Sequence, residues 1–329
     1  MKAVVITRFG GPEVLELRDL PAPEPARGEV RVRVRATAVN RADLLQRQGS
    51  YPAPPDAPPD IPGLEFAGEV DAVGETVADL AVGDRVFGLC GGGAYAEAIA
   101  VPARTAVKLP EGMSFEDGAA VAEAFITAWD ALVTQAHLSA GETVLVQAAG
   151  SGVGTAAIQI VRAVGARALG TSRTARKLEQ ARALGLDEGV VLGAGGGGFA
   201  DAVLRATGGR GVDVVLELVG GAYLAEDLLC VAPRGRIVLV GVMGGARAEL
   251  DLRLLLHKRI QLTGTVLRAR PLEEKIAAVQ QLGRHLVPLF ARGALRPIVD
   301  RVLPLAEAAA AHAYVASNVG FGKVVLEVG

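Results

Sequence analysis

Cysteine is nearly absent: Cys90 and Cys230 are the only two in 329 residues. They are too few and too scattered for a disulfide framework or a four-cysteine metal site, so a reducing cytoplasm is the expected setting. An excess of charge of one sign is missing too, since 34 basic and 36 acidic residues leave a formal net charge of −2. Without a basic field, neither nucleic acid nor an anionic membrane has a dominant electrostatic attraction for the chain. Long apolar runs are lacking, because charge, glycine or proline interrupts each before it could span a bilayer. The opening MKAVVIT reads as a strand and has no apolar core or small-residue cleavage site of a secretion signal. What is present is a composition that is 50% hydrophobic and 21% charged, over a length that exceeds one ordinary core. A well-buried protein of two domains is the expectation.

The two halves differ in period. Lys2 to Ile6, Glu13 to Leu17, Glu29 to Ala38, Glu65 to Val73 and Arg85 to Leu89 cluster or alternate β-formers between proline and glycine punctuation, which predicts an antiparallel β-rich domain. Tyr51 to Pro62, YPAPPDAPPDIP, is too rich in proline for a helix or inner strand and predicts an extended loop. From about Glu123 the reading is a helix over Ala124 to Thr134, then strands at Thr143, Arg167, Val190, Val212 and Arg236 separated by helical runs. That alternation predicts a parallel, doubly wound sheet. Ile260 to Val266 adds a sixth strand, followed by a helix over Leu272 to Phe290. Strand character returns in Ile298 to Pro304 and Lys323 to Glu327, so the C-terminus is expected to rejoin the first domain.

Thr143 to Gly165, TVLVQAAGSGVGTAAIQIVRAVG, carries the chemistry. Val144 to Ala149 reads as a strand covered on both faces. Gly150, Ser151, Gly152, Val153 and Gly154 then form a turn whose backbone N–H groups can approach a phosphate. The helix that follows starts with small residues that allow close packing on the sheet. In the register ending at Gly154 the fingerprint G-x-G-x-x-G has Ala149 and Ser151 at its first two glycines. A literal copy stands at Gly193, Gly195 and Gly198, but 42 glycines in 329 residues produce roughly one such match by chance. It lacks a long apolar helix behind it and is read as a decoy. About 20 residues beyond the glycine turn, an acid would bind the ribose 2′-hydroxyl of NAD. Here Thr171 to Lys177 reads TSRTARK. Ser172 with Arg173 and Lys177 suits a 2′-phosphate, because a hydroxyl and cations replace the carboxylate. NADPH is therefore expected over NADH.

With NRADLLQRQGSYPAPPDAPPDIPGLEFAGEVDAVG, VGDRVFGL, AAGSGVGTAAIQ and LVGVMGG, the chain resembles the medium-chain dehydrogenase/reductase superfamily. It is most similar to the zinc-free, zeta-crystallin-like NADPH quinone oxidoreductases, and within them to the stress-inducible subgroup. The resemblance implies an α/β chain with a GroES-like β-rich catalytic domain, residues 1–122 and 297–329, and a Rossmann doubly wound domain, residues 123–296. It also implies a homodimer joined through the edges of the Rossmann sheets, with the substrate in a cleft between the domains. Zinc-dependent relatives place Cys, His and Cys at positions that match Asn40, Leu64 and Glu123. Those three cannot form a tetrahedral zinc site, since the thiolates are gone and Leu64 has no donor. A quinone, already electrophilic and gaining aromaticity on reduction, does not need the metal as an alcohol or ketone does.

By the same resemblance Tyr51, Ser151 and Asn40 face the acceptor. Thr127, Val219, Gly241, Met243, Leu267 and Lys323 join the glycine turn and Ser172, Arg173 and Lys177 around the cofactor. The residues alone also read more simply: Ser151 as a helix N-cap, Tyr51 as an aromatic packed on the proline loop, Asn40 as a turn residue. Asp43 and Glu65 with Arg41 read as structural ion pairs. Relatives often place a tyrosine against the 2′-phosphate near Leu192-Gly193, where none stands here, which weakens the expected coenzyme preference. The function these features imply is metal-free hydride transfer from NADPH to a quinone. Reduction of a 2-alkenal or enoyl thioester, and NADPH binding with little catalysis, stand as alternatives.

Overall fold

The computed structural model describes residues 1–193, 197–221 and 223–329. It separates into two compact units, Met1–Ile126 with Leu267–Gly329, and Thr127–Val266. Among the described residues no helix is long and apolar enough to cross a membrane.

The first unit is β-rich. Its longest strand, Glu29–Val39, shows why it folds as it does. Val30, Val32 and Val34 alternate with Arg31, Arg33 and Arg35, so the period of two buries the valines and turns the arginines outward. It pairs antiparallel with Glu65–Val73, Ala98–Pro102 and Lys323–Glu327, and so stitches the two ends of the chain together. Phe66, Val86, Tyr95 and Leu326 close the core beneath it. The Tyr51 to Pro62 segment has neither helix nor strand. The second compact unit ends at Val266, whereas the expected domain ran to residue 296. Helices Leu272–Gln281 and Val287–Ala291, joined by a π-helical turn, belong with the β-rich unit. Phe290 stacks edge-on against Phe125, and Arg104 and Asp56 pair with Glu273 and Lys275. An amphipathic helix announces that it covers a core, not which one.

The second unit is a parallel sheet, with strands in the order Glu188–Val191, Arg167–Ser172, Thr143–Val146, Val212–Glu217, Val231–Leu239 and Gln261–Gly264. Numbered along the unit this is 3-2-1-4-5-6, the doubly wound order whose direction reverses between its first and fourth strands. Leu145, Leu169, Val215 and Ile237 fill the sheet, and Phe199, Leu224 and Leu228 cover it. The first strand ends at Val146 rather than at the expected Ala149. Gln147 onward leaves the ladder, and Ala148 turns at φ 49°.

Candidate active site

The glycine turn is built by close approach. Helix Gly152–Val164 begins directly after Ser151, whose Oγ accepts the Gly154 N–H at 3.0 Å. A Cβ on Gly154 would stand 2.5 Å from the Ala148 carbonyl oxygen, so only glycine lets the helix start this near the strand end. The Gly152 and Val153 N–H groups precede any helical carbonyl that could accept them. These are the donors a helix N-terminus offers an anion. Ser151 thus takes the capping role that its residue type alone suggested. The literal glycine fingerprint includes Gly195, which lies outside the described residues.

Ser172 closes the neighbouring strand and is nearly buried, Arg173 is exposed, and Lys177 lies in the first turn of helix Ala175–Arg182. No acid stands at that strand end. Tyr223, unremarked in the sequence, comes within charge-interaction range of Arg173. Val219 and Gly220 follow the strand ending at Glu217, and Gly241 and Met243 follow the one ending at Leu239. The two loops are tied by the Gly244 N–H to the Val219 carbonyl, 2.6 Å. Thr127 is nearly buried in helix Ala122–Trp129.

Beneath these loops lies a buried polar network that sequence reasoning missed. Thr171 Oγ1 donates to Gln147 Oε1, and Gln147 Nε2 donates to Asp227 Oδ1 at 2.8 Å. Glu217 Oε1 accepts the N–H groups of Val219 and Gly220. Asp227 sits against Glu217, and burial together with that neighbouring carboxyl lifts its pKa well above the usual carboxylate range. Asp227 is thereby favoured in its protonated form beside the Glu217 carboxyl, whose Oε1 fixes the turn at Val219. A buried strand ending in glutamate was the available signal.

In the first unit Asn40, Glu65, Glu123 and Lys323 form one cluster. Asn40 caps helix Arg41–Arg47, with its N–H on Asp43 Oδ2 at 2.7 Å. Its side chain donates to Glu65 Oε1 at 2.8 Å and accepts from Lys323 Nζ at 2.6 Å. Lys323 Nζ also meets Glu65 Oε1 at 2.7 Å, and the Glu123 N–H donates to Glu65 Oε2 at 2.8 Å. Lys323, expected at the cofactor, is the buried counter-ion of Glu65. Glu65 finds its cation there rather than in Arg41, which reaches Asn318. Leu267, expected beside the nicotinamide, is buried and belongs to the β-rich unit. A zinc ion does not fit: Leu64 offers no donor, and the Lys323 ammonium occupies the Asn40 oxygen that would have to bind it.

Arg268 completes the site. Its guanidinium donates to the Gly91 and Tyr51 carbonyls and to Gln46 Oε1, and lies 5.3 Å from the Tyr51 ring centre. Tyr51 and Asn40 are half-buried. Burial, reinforced by Glu123, pushes the Tyr51 phenol above its ordinary range. Asp43 is lifted by burial to about 6 against the opposing N–H groups of Asn40 and Gly63, and Glu123 is lifted by burial and by Glu65 to about 8.

Residues 26–111 match the family described as Alcohol dehydrogenase GroES-like domain, and residues 152–284 the one described as Zinc-binding dehydrogenase. A quinone oxidoreductase of Pseudomonas aeruginosa is 37% identical, over 99% of each chain. The solved Escherichia coli quinone oxidoreductase complexed with NADPH superposes with a TM-score of 0.89 at 30% identity, covering 99% of this chain and 100% of that one. A solved NAD-dependent alcohol dehydrogenase gives a TM-score of 0.88 at 35% identity, with both chains fully covered.

Proposed function

Since this chain belongs to the quinone oxidoreductases of the medium-chain dehydrogenase/reductase superfamily, we propose that it reduces quinones with NADPH and without a metal. The observation that supports this reading is the Asn40–Glu65–Lys323 cluster, where the Lys323 ammonium takes up the Asn40 oxygen that a metal would need as a ligand. An acceptor that is electrophilic without a Lewis acid suits such a site, and a quinone is one.

In this reading Gly150, Ser151, Gly152, Val153 and Gly154 hold the pyrophosphate, the N-terminus of their helix supplying N–H donors and a favourable dipole. Ser172, Arg173 and Lys177 receive the 2′-phosphate. Thr127, Val219, Gly241 and Met243 border the nicotinamide, which when bound supplies the hydride. Tyr51 and Asn40 orient the acceptor, the first through its phenol and ring face and the second through its amide. The working form is a homodimer in the cytoplasm. Strand Gln261–Gly264 is the edge of its sheet among the described residues, and Leu252, Leu256, Leu262 and Val266 are exposed nearby in sequence. Sedimentation equilibrium returning the mass of a single chain would contradict the dimer.

Steady-state oxidation of NADPH in the presence of 1,4-benzoquinone or phenanthrenequinone tests the activity. Turnover with NADPH preferred over NADH is expected. A protein that binds NADPH and turns over no quinone would refute the reading.

A further inference from the structure

Quinone reduction needs a proton as well as a hydride, and the β-rich unit gathers more acids than it has cations to balance. Glu123 interacts with Asp43 and Glu65 and with two cations, Lys323 and Arg268, which also face Asp43, while Lys323 pairs directly with Glu65. The three carboxyls are not equally supported. Glu65 holds Asn40, Lys323 and the Glu123 N–H. Asp43 accepts the N–H groups of Asn40 and Gly63, and Tyr95 approaches it at 3.4 Å. Glu123 Oε2 is shut off from solvent and has no hydrogen-bond partner among the described residues. An ionised carboxylate with a bare buried oxygen is costly, so the one proton that balances the cluster settles on Glu123.

Resting on the quinone-reductase reading above, we propose that Glu123 is the proton donor of the acceptor site. The quinone gains two electrons and one hydrogen as hydride from the reduced nicotinamide. The Glu123 carboxyl O–H bond breaks, and a new O–H bond forms on the quinone oxygen that carries the developing charge. The hydroquinone leaves, and the Glu123 carboxylate takes a proton back from water.

The neighbouring groups are poorer donors. Burial raises the Tyr51 phenol and the Cys90 thiol, so both hold their protons more tightly than usual at neutral pH, while Asp43, at about 6, is mostly ionised there. Glu123, near 8, is protonated at neutral pH and still acidic enough to protonate a phenolate-like oxygen, whose acid has a pKa of about 10. Its placement fits as well, because Glu65 holds the Glu123 backbone through one oxygen and the Asn40 amide through the other.

Two measurements test this. In wild-type protein labelled with ¹³C at the glutamate carboxyl and free of cofactor, infrared spectroscopy is expected to show one protonated glutamate at pH 7 that titrates near 8 and is missing in Glu123→Gln. The label keeps Asp43 and Asp227 out of the signal. A fully ionised glutamate population at pH 7 overturns the proposal. In kinetics, wild-type kcat is expected to fall as pH rises through 8, and Glu123→Gln to lose about 100-fold in kcat and the alkaline fall, with its NADPH Kd unchanged. Tyr51→Phe keeps that fall. Glu123→Gln within about twofold of wild type, or still showing the alkaline fall, overturns the proposal. A wild type that turns over no quinone fails at the earlier step and removes the reading on which this one rests.

Discussion

Lys323 and Glu65 lie 258 positions apart in sequence and pair where neither side chain meets solvent to any extent. Removing one partner leaves the other as an uncompensated buried charge, which typically costs about 3–5 kcal/mol. Lys323→Met is therefore expected to lower unfolding free energy by about that amount in urea melts. The double variant Lys323→Met with Glu65→Gln should recover more than half of the loss, and a double variant no better than the single one would show the pair is not coupled. Glu123 carries a second expectation of opposite character. Its pKa in the folded chain, about 8, lies above the unfolded value near 4.3, so the native state holds a proton that the unfolded chain releases. Stability from this group is full below the unfolded pKa and is lost as pH rises through 8. Glu123→Gln should remove that dependence and gain ~3 kcal/mol over wild type at pH 9, discounted for the partial exposure of the residue. Equal pH dependence in the two proteins would place the raised carboxyl elsewhere.

Helix Gly152–Val164 depends on contacts that a single methyl disturbs. A side chain at Gly154 must push the helix from the Ala148 carbonyl, 2.5 Å from where its Cβ would stand. Gly154→Ala is expected to destabilise by about 1–3 kcal/mol and to weaken NADPH binding at least tenfold, read by unfolding and by fluorescence titration. Unchanged affinity would separate this turn from the cofactor. The same element shows how far sequence carries. The run of glycines and small residues announced a strand, turn and helix, and the helix starts within the glycine turn. The strand end was misplaced by three residues because Gln147 and Ala149 look like interior positions, and only the tertiary hydrogen bonds of Gln147 to Thr171 and Asp227 show why the ladder stops. At strand Glu29–Val39 the alternation of valine and arginine was sufficient, as one face meets a core and the other does not.

Over the whole chain, the change from period two to strand-helix alternation made both units legible, whereas the packing partners of two later helices were not. Helices Leu272–Gln281 and Val287–Ala291 side with the β-rich unit through Phe125, Asp56 and Arg104, partners that no local pattern identifies. The acceptor side was half legible. Asn40, Leu64 and Glu123 were read from the sequence as unable to form a tetrahedral zinc site, but the lysine that takes up the Asn40 oxygen comes from the far end of the chain, and long-range ion pairs leave no local trace. The Glu217–Asp227 contact escaped for the same reason: each acid alone resembles an ordinary helix or strand residue, and only burial against the other carboxyl lifts Asp227 above the usual carboxylate range.

Quinone turnover and metal content, measured on one chelator-dialysed sample, test the central claim most directly. Undiminished NADPH-dependent reduction of 1,4-benzoquinone by protein holding far less than one metal ion per chain is the predicted result. Activity that disappears on dialysis and returns with added zinc would contradict it.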